Sequence, residues 1–477
     1  MISNFPTAWV SIIALSLLAG CSVISTREDV FHNISCSAQW QHLQQRLGAQ
    51  GIHDAQSVAV AGEPFLRVTR TLASFELAQL GKRQRLEWLG LALEEGIEGL
   101  QSEVRRLDNP PSIEPLTHCA RAEIQWIAYD DRRWEKLSEQ VSVPDAYQPW
   151  RRAVGLFPLI RPLFRRQVHK LEDYFEDQYG NYQARGEWKR YELNQPGAGA
   201  PTSQSVLEAA QGRSALGLYE FTEEEGQLLL ARHAPILEIE TLGAYDRPGS
   251  PQWQNGRWQV SSPIKVYTQI THTRWQGQWL PQLVYHVWFD ERPREHSLDI
   301  YGGRLDGLIW RVTLAPSGEV LLYDSVHPCG CYLKWHPVEG RLAMKADAPD
   351  DGIMTVMPVA LPGNSSTSPV VRLQSSSHFL VDIGYANAKP DTEPEPYTLA
   401  PYTELRAIPT KDGHRSLFDS AGLVPGTERL ERFLLWNTGV PSPGAMRQWG
   451  QHATSFLGRR HFDDPDLLDR YFIPASP

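Results

Sequence analysis

Residues 264–289 read IKVYTQITHTRWQGQWLPQLVYHVWF. Side chains of alternating character run from Ile264 to Trp275 and again from Leu280 to Phe289, with Gln276-Gly277-Gln278 as the turn between them. The stretch reads as an antiparallel hairpin. Pairing Trp275 with Trp279 would put His272 and His286 on one face. A second hairpin follows, with Leu308 to Leu314 and Val320 to Asp324 flanking Ala315-Pro316-Ser317-Gly318, the pattern of a type I turn closed by a glycine bulge. Setting Leu314 against Val320 and Val312 against Leu322 brings Asp306 within about one pair of His327. Further strands are expected at Ile236 to Glu240, Thr355 to Ala360, Val370 to Gln374 and Phe379 to Ile383. Residues 206–405 therefore read as an antiparallel β domain, sandwich or barrel-like.

Upstream the period lengthens. Leu86, Leu89, Leu93, Ile97, Leu100, Val104 and Leu107 recur at helical spacing within Ala73 to Leu107, and Asp108-Asn109-Pro110-Pro111 stops the pattern because proline lacks the amide donor. Helices are also expected over Leu116 to Glu139 and Ala153 to Tyr182. The last of these mixes apolar residues with Arg161, Arg165, Arg166 and Lys170, as a kinked amphipathic helix or a face for anionic lipid headgroups would. Residues 21–195 thus form a mainly helical domain and 196–205 a linker. Residues 406–477 form a helical C-terminal segment, with helices at Glu428 to Trp436 and Ala445 to Leu457. The expected class is α+β.

Composition narrows the function. The 477 residues carry 46 basic and 56 acidic side chains, a net charge of −10, without a basic block for nucleic acid. The 36 glycines and 35 prolines are too few for a low-complexity chain. No H-E-x-x-H, G-x-S-x-G or G-x-x-x-x-G-K-[ST] motif occurs. A binding or envelope-assembly component is favoured over an enzyme, with no required cofactor.

Residues 1–20 read as a signal peptide: Ala8 to Gly20 is an uncharged apolar run too short to span a bilayer. The run ends in Leu18-Ala19-Gly20-Cys21, which resembles the lipobox of bacterial lipoproteins. The resemblance implies cleavage before Cys21, which would leave Cys21 as a lipidated amino terminus. Ser22 follows, where Asp would mark inner-membrane retention, so the resemblance implies lipid anchoring at the outer membrane, on the periplasmic side or the cell surface. The bilayer is then one partner, and an envelope protein or glycan another.

Four further thiols remain: Cys36, Cys119, Cys329 and Cys331. In an oxidising compartment Cys36 with Cys119 would close a long loop, and Cys329 with Cys331 a strained small ring. The densest chemistry is His327-Pro328-Cys329-Gly330-Cys331 followed by His336. His327, Cys329, Cys331 and His336 would suit zinc or copper, whereas Asp306, His327, Cys329 and Cys331 would suit a thiol nucleophile with an oriented base. Seven tryptophans, Trp253, Trp258, Trp275, Trp279, Trp288, Trp310 and Trp335, lie in the β region, where outward-facing indoles would stack on a glycan.

Overall fold

The computed structural model describes residues 35–475 apart from 194–199, 298, 353–354, 361–367 and 386–392. The expected signal peptide, the expected lipidation site Cys21 and part of the 196–205 stretch lie outside the described residues. The chain is mixed α+β with several sheets, none closed into a barrel.

The hairpin that opens the reading forms from Lys265–Trp275 and Gln278–Arg292. Its turn is one residue shorter than expected. Gln276 and Gly277 both take positive φ, 51° and 76°, so two residues close the turn and Trp275 pairs with Gln278. That slip of one residue flips the strand relationship: His286 pairs with Tyr267 and His272 with Pro281, so the two imidazoles face opposite sides of the sheet. The second hairpin, Gly303–Leu314 with Val320–Val326, keeps the expected Leu314 to Val320 pair. A bulge at Leu321 then sets Leu322 against Thr313, not Val312.

These four strands form the centre of a seven-stranded sheet. Its order is Thr355–Val356, Lys334–Pro337, Val320–Val326, Gly303–Leu314, Gln278–Arg292, Lys265–Trp275 and Thr398–Pro401. Both outermost pairings are parallel. A second sheet runs Leu380–Tyr385, Pro369–Leu373, Ile236–Thr241, Glu187–Glu192 and Glu395–Pro396, again with two parallel pairings. The β region is therefore mixed, not purely antiparallel, because long connections return distant segments to the sheets in the parallel sense. The second sheet also crosses the expected domain boundary, since Glu187–Glu192 lies within the residues read as helical. Helix Ser203–Ala210 begins inside the expected linker, capped by Thr202.

Strand alternation gives the long sheet two buried faces. Tyr285, Val287, Trp310 and Val312 pack with Leu237, Ile239, Val371 and Leu380 of the second sheet. Val284, Trp288, Ile309 and Trp335 on the other face are covered by Leu417, Met446, Trp449, Phe462 and Tyr471. This C-terminal cover is not the expected helical segment. Among the described residues only Arg432–Leu435 and Leu467–Tyr471 are α-helical there. Gly444 and Gly450 take positive φ, and Ala445–Leu457 sends backbone hydrogen bonds to other segments, as in Arg447 N to Pro328 O at 2.8 Å.

The helical N-terminal region has its own core. Helices Cys36–Gly48, Lys82–Val104, Glu114–Tyr129 and Asp131–Ser138 bury Trp40, Trp88, Leu89, Leu93 and Trp134. The expected helix over Leu116 to Glu139 is two, because the Asp130 side chain accepts from Arg132 N and Arg133 N and starts a new one. Gly96 lets the longest helix touch a small hairpin, since a Cβ there would lie 2.0 Å from Phe65 O. A Cys36–Cys119 disulfide ties the first helix to the Glu114–Tyr129 helix. Among the described residues no helix is long and apolar enough to cross a membrane.

Candidate functional site

At one end of the long sheet four ionisable side chains form a buried line. Asp306 extends from strand Gly303–Leu314 just after Leu305, whose φ is 48°. One of its carboxylate oxygens meets His327 Nδ1 at 3.2 Å and the other meets His378 Nδ1 at 2.9 Å. The opposite nitrogen of His378 lies 3.5 Å from Asp246. Asp246 in turn accepts from Leu242 N, Gly243 N, Ser375 Oγ and Ser376 N at 2.8 to 3.1 Å. The ring of His378 stacks on Phe289 at 3.9 Å. Asp306, His327 and His378 are 2%, 3% and 0% exposed, so the line is sealed from solvent.

The bulge at Leu321 explains the contact. In the shifted register Val326 pairs with Ile309, so Asp306 and His327 fall on the same sheet face as diagonal neighbours. Charge is then divided along the line. Burial opposes a charged His378, but its contacts with Asp246 at 3.5 Å and Asp306 at 2.9 Å and the charges of both carboxylates outweigh it and raise its pKa. For His327 burial wins over Asp306 and the pKa falls. Burial would raise both carboxyls, yet the histidine contacts hold Asp306 and Asp246 below the usual range. The line thus favours a proton on His378 over one on His327. His327 donates from Nδ1, which leaves Nε2 as its basic atom.

The neighbouring thiols do not complete a catalytic or metal centre. Cys329 and Cys331 are free and buried, which corrects the expected disulfide between them. The loop is a tight turn with His327 N on Cys331 O at 3.0 Å and positive φ at Gly330 and Tyr332. The hydrogen bond with Cys329 and burial raise the Cys331 thiol well above its ordinary pKa, the opposite of an activated nucleophile. His336 departs from the expected ligand set. Trp335 shares a core with Cys329 and Cys331, and the strand alternation turns His336 to the other face, stacked on Tyr179 with Nδ1 at 3.0 Å from Met357 O. Among the described residues no three His, Cys, Asp or Glu groups converge as metal ligands. His286 packs against Tyr402 and Trp449, and His272 meets Tyr219, so neither joins His327.

A second feature is open. A cleft of about 700 Å³ lies between helix Lys82–Val104 and the hairpin strands. Carboxylates Glu87, Glu94, Glu95 and Glu98 project from the helix, with Glu220 and Asp463 at its margins and no lysine or arginine among the described lining residues. Leu72, Leu91, Leu218, Ile270, Phe221 and Trp449 supply apolar wall. The Ser214–Phe221 segment that closes one end is held by Glu87, which accepts from Ser214 Oγ and Ala215 N.

The seven tryptophans of the β region do not form a stacking surface: five are buried and Trp253 and Trp275 half-buried. Sequence reasoning missed His378 and Asp246, which have no local signature. His378 stands 72 residues from Asp306 and is joined to it only by the packing of the two sheets. The acidic helix face was visible in Glu87, Glu94, Glu95 and Glu98, but a solvated face reads the same. No protein-family model, curated protein or solved structure matches the chain.

Proposed function

We propose that the protein is an envelope component held at a membrane by acylated Cys21, and that it acts by binding. The observation that supports membrane contact is an exposed apolar surface on the elements around helix Phe157–Gln178. Trp150, Val154, Leu156, Leu159 and Leu163 are 59% to 76% exposed, and Phe433 and Leu434 are 64% and 58% exposed on a neighbouring element. The two elements touch where Gly155 meets Asn437; a Cβ on that glycine would lie 2.4 Å from the asparagine side chain. So many large apolar groups on one surface mark an interaction face. Arg152, Arg161 and Arg165 are engaged by Thr438 O, Leu457 O and Asp350, while Arg166 and Lys170 face solvent, where anionic headgroups would meet them.

The test has two parts. Radiolabelled palmitate enters the wild type and not Cys21→Ala. The unacylated chain binds vesicles containing phosphatidylglycerol, and Leu159→Asp with Leu163→Asp removes that binding. Label in the Cys21→Ala chain, or vesicle binding unchanged by the two aspartates, overturns the reading.

A further inference from the structure

We infer that the cleft between helix Lys82–Val104 and the Lys265–Trp275 hairpin binds an organic cation, one or more ammonium groups carried on an apolar stem. The inference deepens the binding reading and rests on it, but it does not depend on the membrane attachment.

Among the described residues, four oxygens of the cleft have no hydrogen-bond partner. Gln56 is 8% exposed and lines the cleft, yet its Oε1 accepts no hydrogen bond. Glu95 Oε2, Thr271 Oγ1 and Asp463 Oδ1 line the same space and are likewise buried without a partner. Native proteins rarely leave such groups unpaired, because each loses its water and gains nothing in return. Four in one cavity describe what is to fill it. All four can accept, and only the Thr271 hydroxyl can also donate, so the complementary ligand is rich in N–H donors.

Charge sets the sign of that ligand. Glu98 is neutralised by Arg406, Asp463 is paired through its other oxygen with Arg70 at 3.4 Å, and Glu87 is spent on the Ser214–Ala215 backbone and hydroxyl. Glu94, Glu95 and Glu220 have no such ion pair among the described residues and no cation lining the space beside them. The one histidine on the wall, His272, is kept neutral: burial pushes its pKa down to about 4. An anion or a neutral acceptor would meet like charge and lone pairs. A bare metal ion would need several converging ligands, and no such group occurs among the described residues. The apolar wall from Leu72, Leu91, Leu218, Ile270, Phe221 and Trp449 selects an organic stem, and about 700 Å³ falls within the range of small-molecule sites.

Glu95 supplies a proton signature. Burial and the neighbouring Glu98 charge push its carboxyl up to about 7, with Asp54 adding and Arg406 and Arg67 opposing. Glu87, Glu94, Glu98, Glu220, Asp463, Tyr219 and neutral His272 are the other titratable groups among the described residues of the same cavity wall. An ammonium against Glu95 favours its ionised form, so binding near pH 7 releases a proton.

The test is calorimetry on the full acylated chain in detergent, with spermidine as the probe and 1,8-octanediol as its uncharged counterpart in length. Spermidine binds one per chain, and the heat at pH 7 differs between phosphate and Tris by the ionisation of the released proton. Glu95→Gln weakens binding at least tenfold and abolishes the buffer dependence. Glu94→Gln, on the exposed rim, weakens it severalfold and serves if the first variant does not fold. Octanediol bound as tightly as spermidine overturns the cation and leaves the binding cleft. Neither probe bound, or spermidine bound equally by wild type and both variants, overturns the cleft as the site.

Discussion

The line Asp246, His378, Asp306, His327 and the acidic cleft use the same residue types in opposite ways. In the first, both oxygens of Asp306 meet an imidazole and both oxygens of Asp246 accept backbone or hydroxyl donors. Sealed from water, the group pairs every one of its carboxylate oxygens and leaves only His378 Nε2 short of a hydrogen bond, 3.5 Å from Asp246. In the second, a carboxylate, a carboxamide, a hydroxyl and another carboxylate each leave an oxygen idle beside open space. Chemical reactivity read from residue type would favour the first. Hydrogen-bond accounting assigns the first to the scaffold and the second to a ligand.

The largest expected effect belongs to the closed line. Asp306→Ala leaves His378 with only Asp246 and should lower unfolding stability by about 3–5 kcal/mol, measured by urea denaturation; a loss below about 1 kcal/mol would mean the line is not structural. Next comes pH. His233 and His272 are pushed down to about 4 and His286 and His336 to about 3, each by burial first. A histidine with a lowered folded pKa takes up its proton more readily when unfolded, so stability falls as pH drops from the ordinary value near 6.5 toward 4. His378, with a raised pKa, works the other way, its contribution complete below 6.5 and lost as pH rises through its folded value. The urea midpoint should therefore be lower at pH 5 than at pH 7.5, and more so in His378→Gln. An unchanged midpoint would contradict the buried, neutral histidines.

Thiol labelling gives a smaller and cleaner contrast. Cys329 and Cys331 are 6% and 7% exposed and free, so a thiol reagent should modify two cysteines in denaturant and none at the rate of an exposed thiol in the native protein. Rapid native labelling would reopen the nucleophile reading. The smallest effect is in the cleft: Glu95→Gln should change stability by no more than about 0.5 kcal/mol, or raise it, because it removes a buried charge that has no ion-pair partner. A loss of several kcal/mol would make Glu95 a scaffold residue like Asp306.

Legibility followed the range of the interactions. The helical stripe from Leu89 to Val104 is buried as its spacing predicts, and both hairpins stand where alternation put them. The turns were harder, because a two-residue turn at Gln276-Gly277 and a bulge at Leu321 depend on backbone angles that the alternation does not encode. Each slip of one residue reassigns faces, which is why His272 and His286 separate while Asp306 and His327 still meet. The C-terminal helices failed for a related reason: apolar spacing in Ala445–Leu457 served burial against a sheet, not a helix face.

By itself the sequence determined what local physics controls. A 3.6-residue period, a two-residue period and the proline break after Leu107 act through neighbours a few positions apart. Tertiary structure decided the rest. It joined Cys36 to Cys119 and left Cys329 and Cys331 reduced, since sulfur placement follows backbone direction and not proximity along the chain. It brought His378 and Asp246 to Asp306 through the packing of two sheets, and it opened one acidic space where four oxygens have no partner among the described residues.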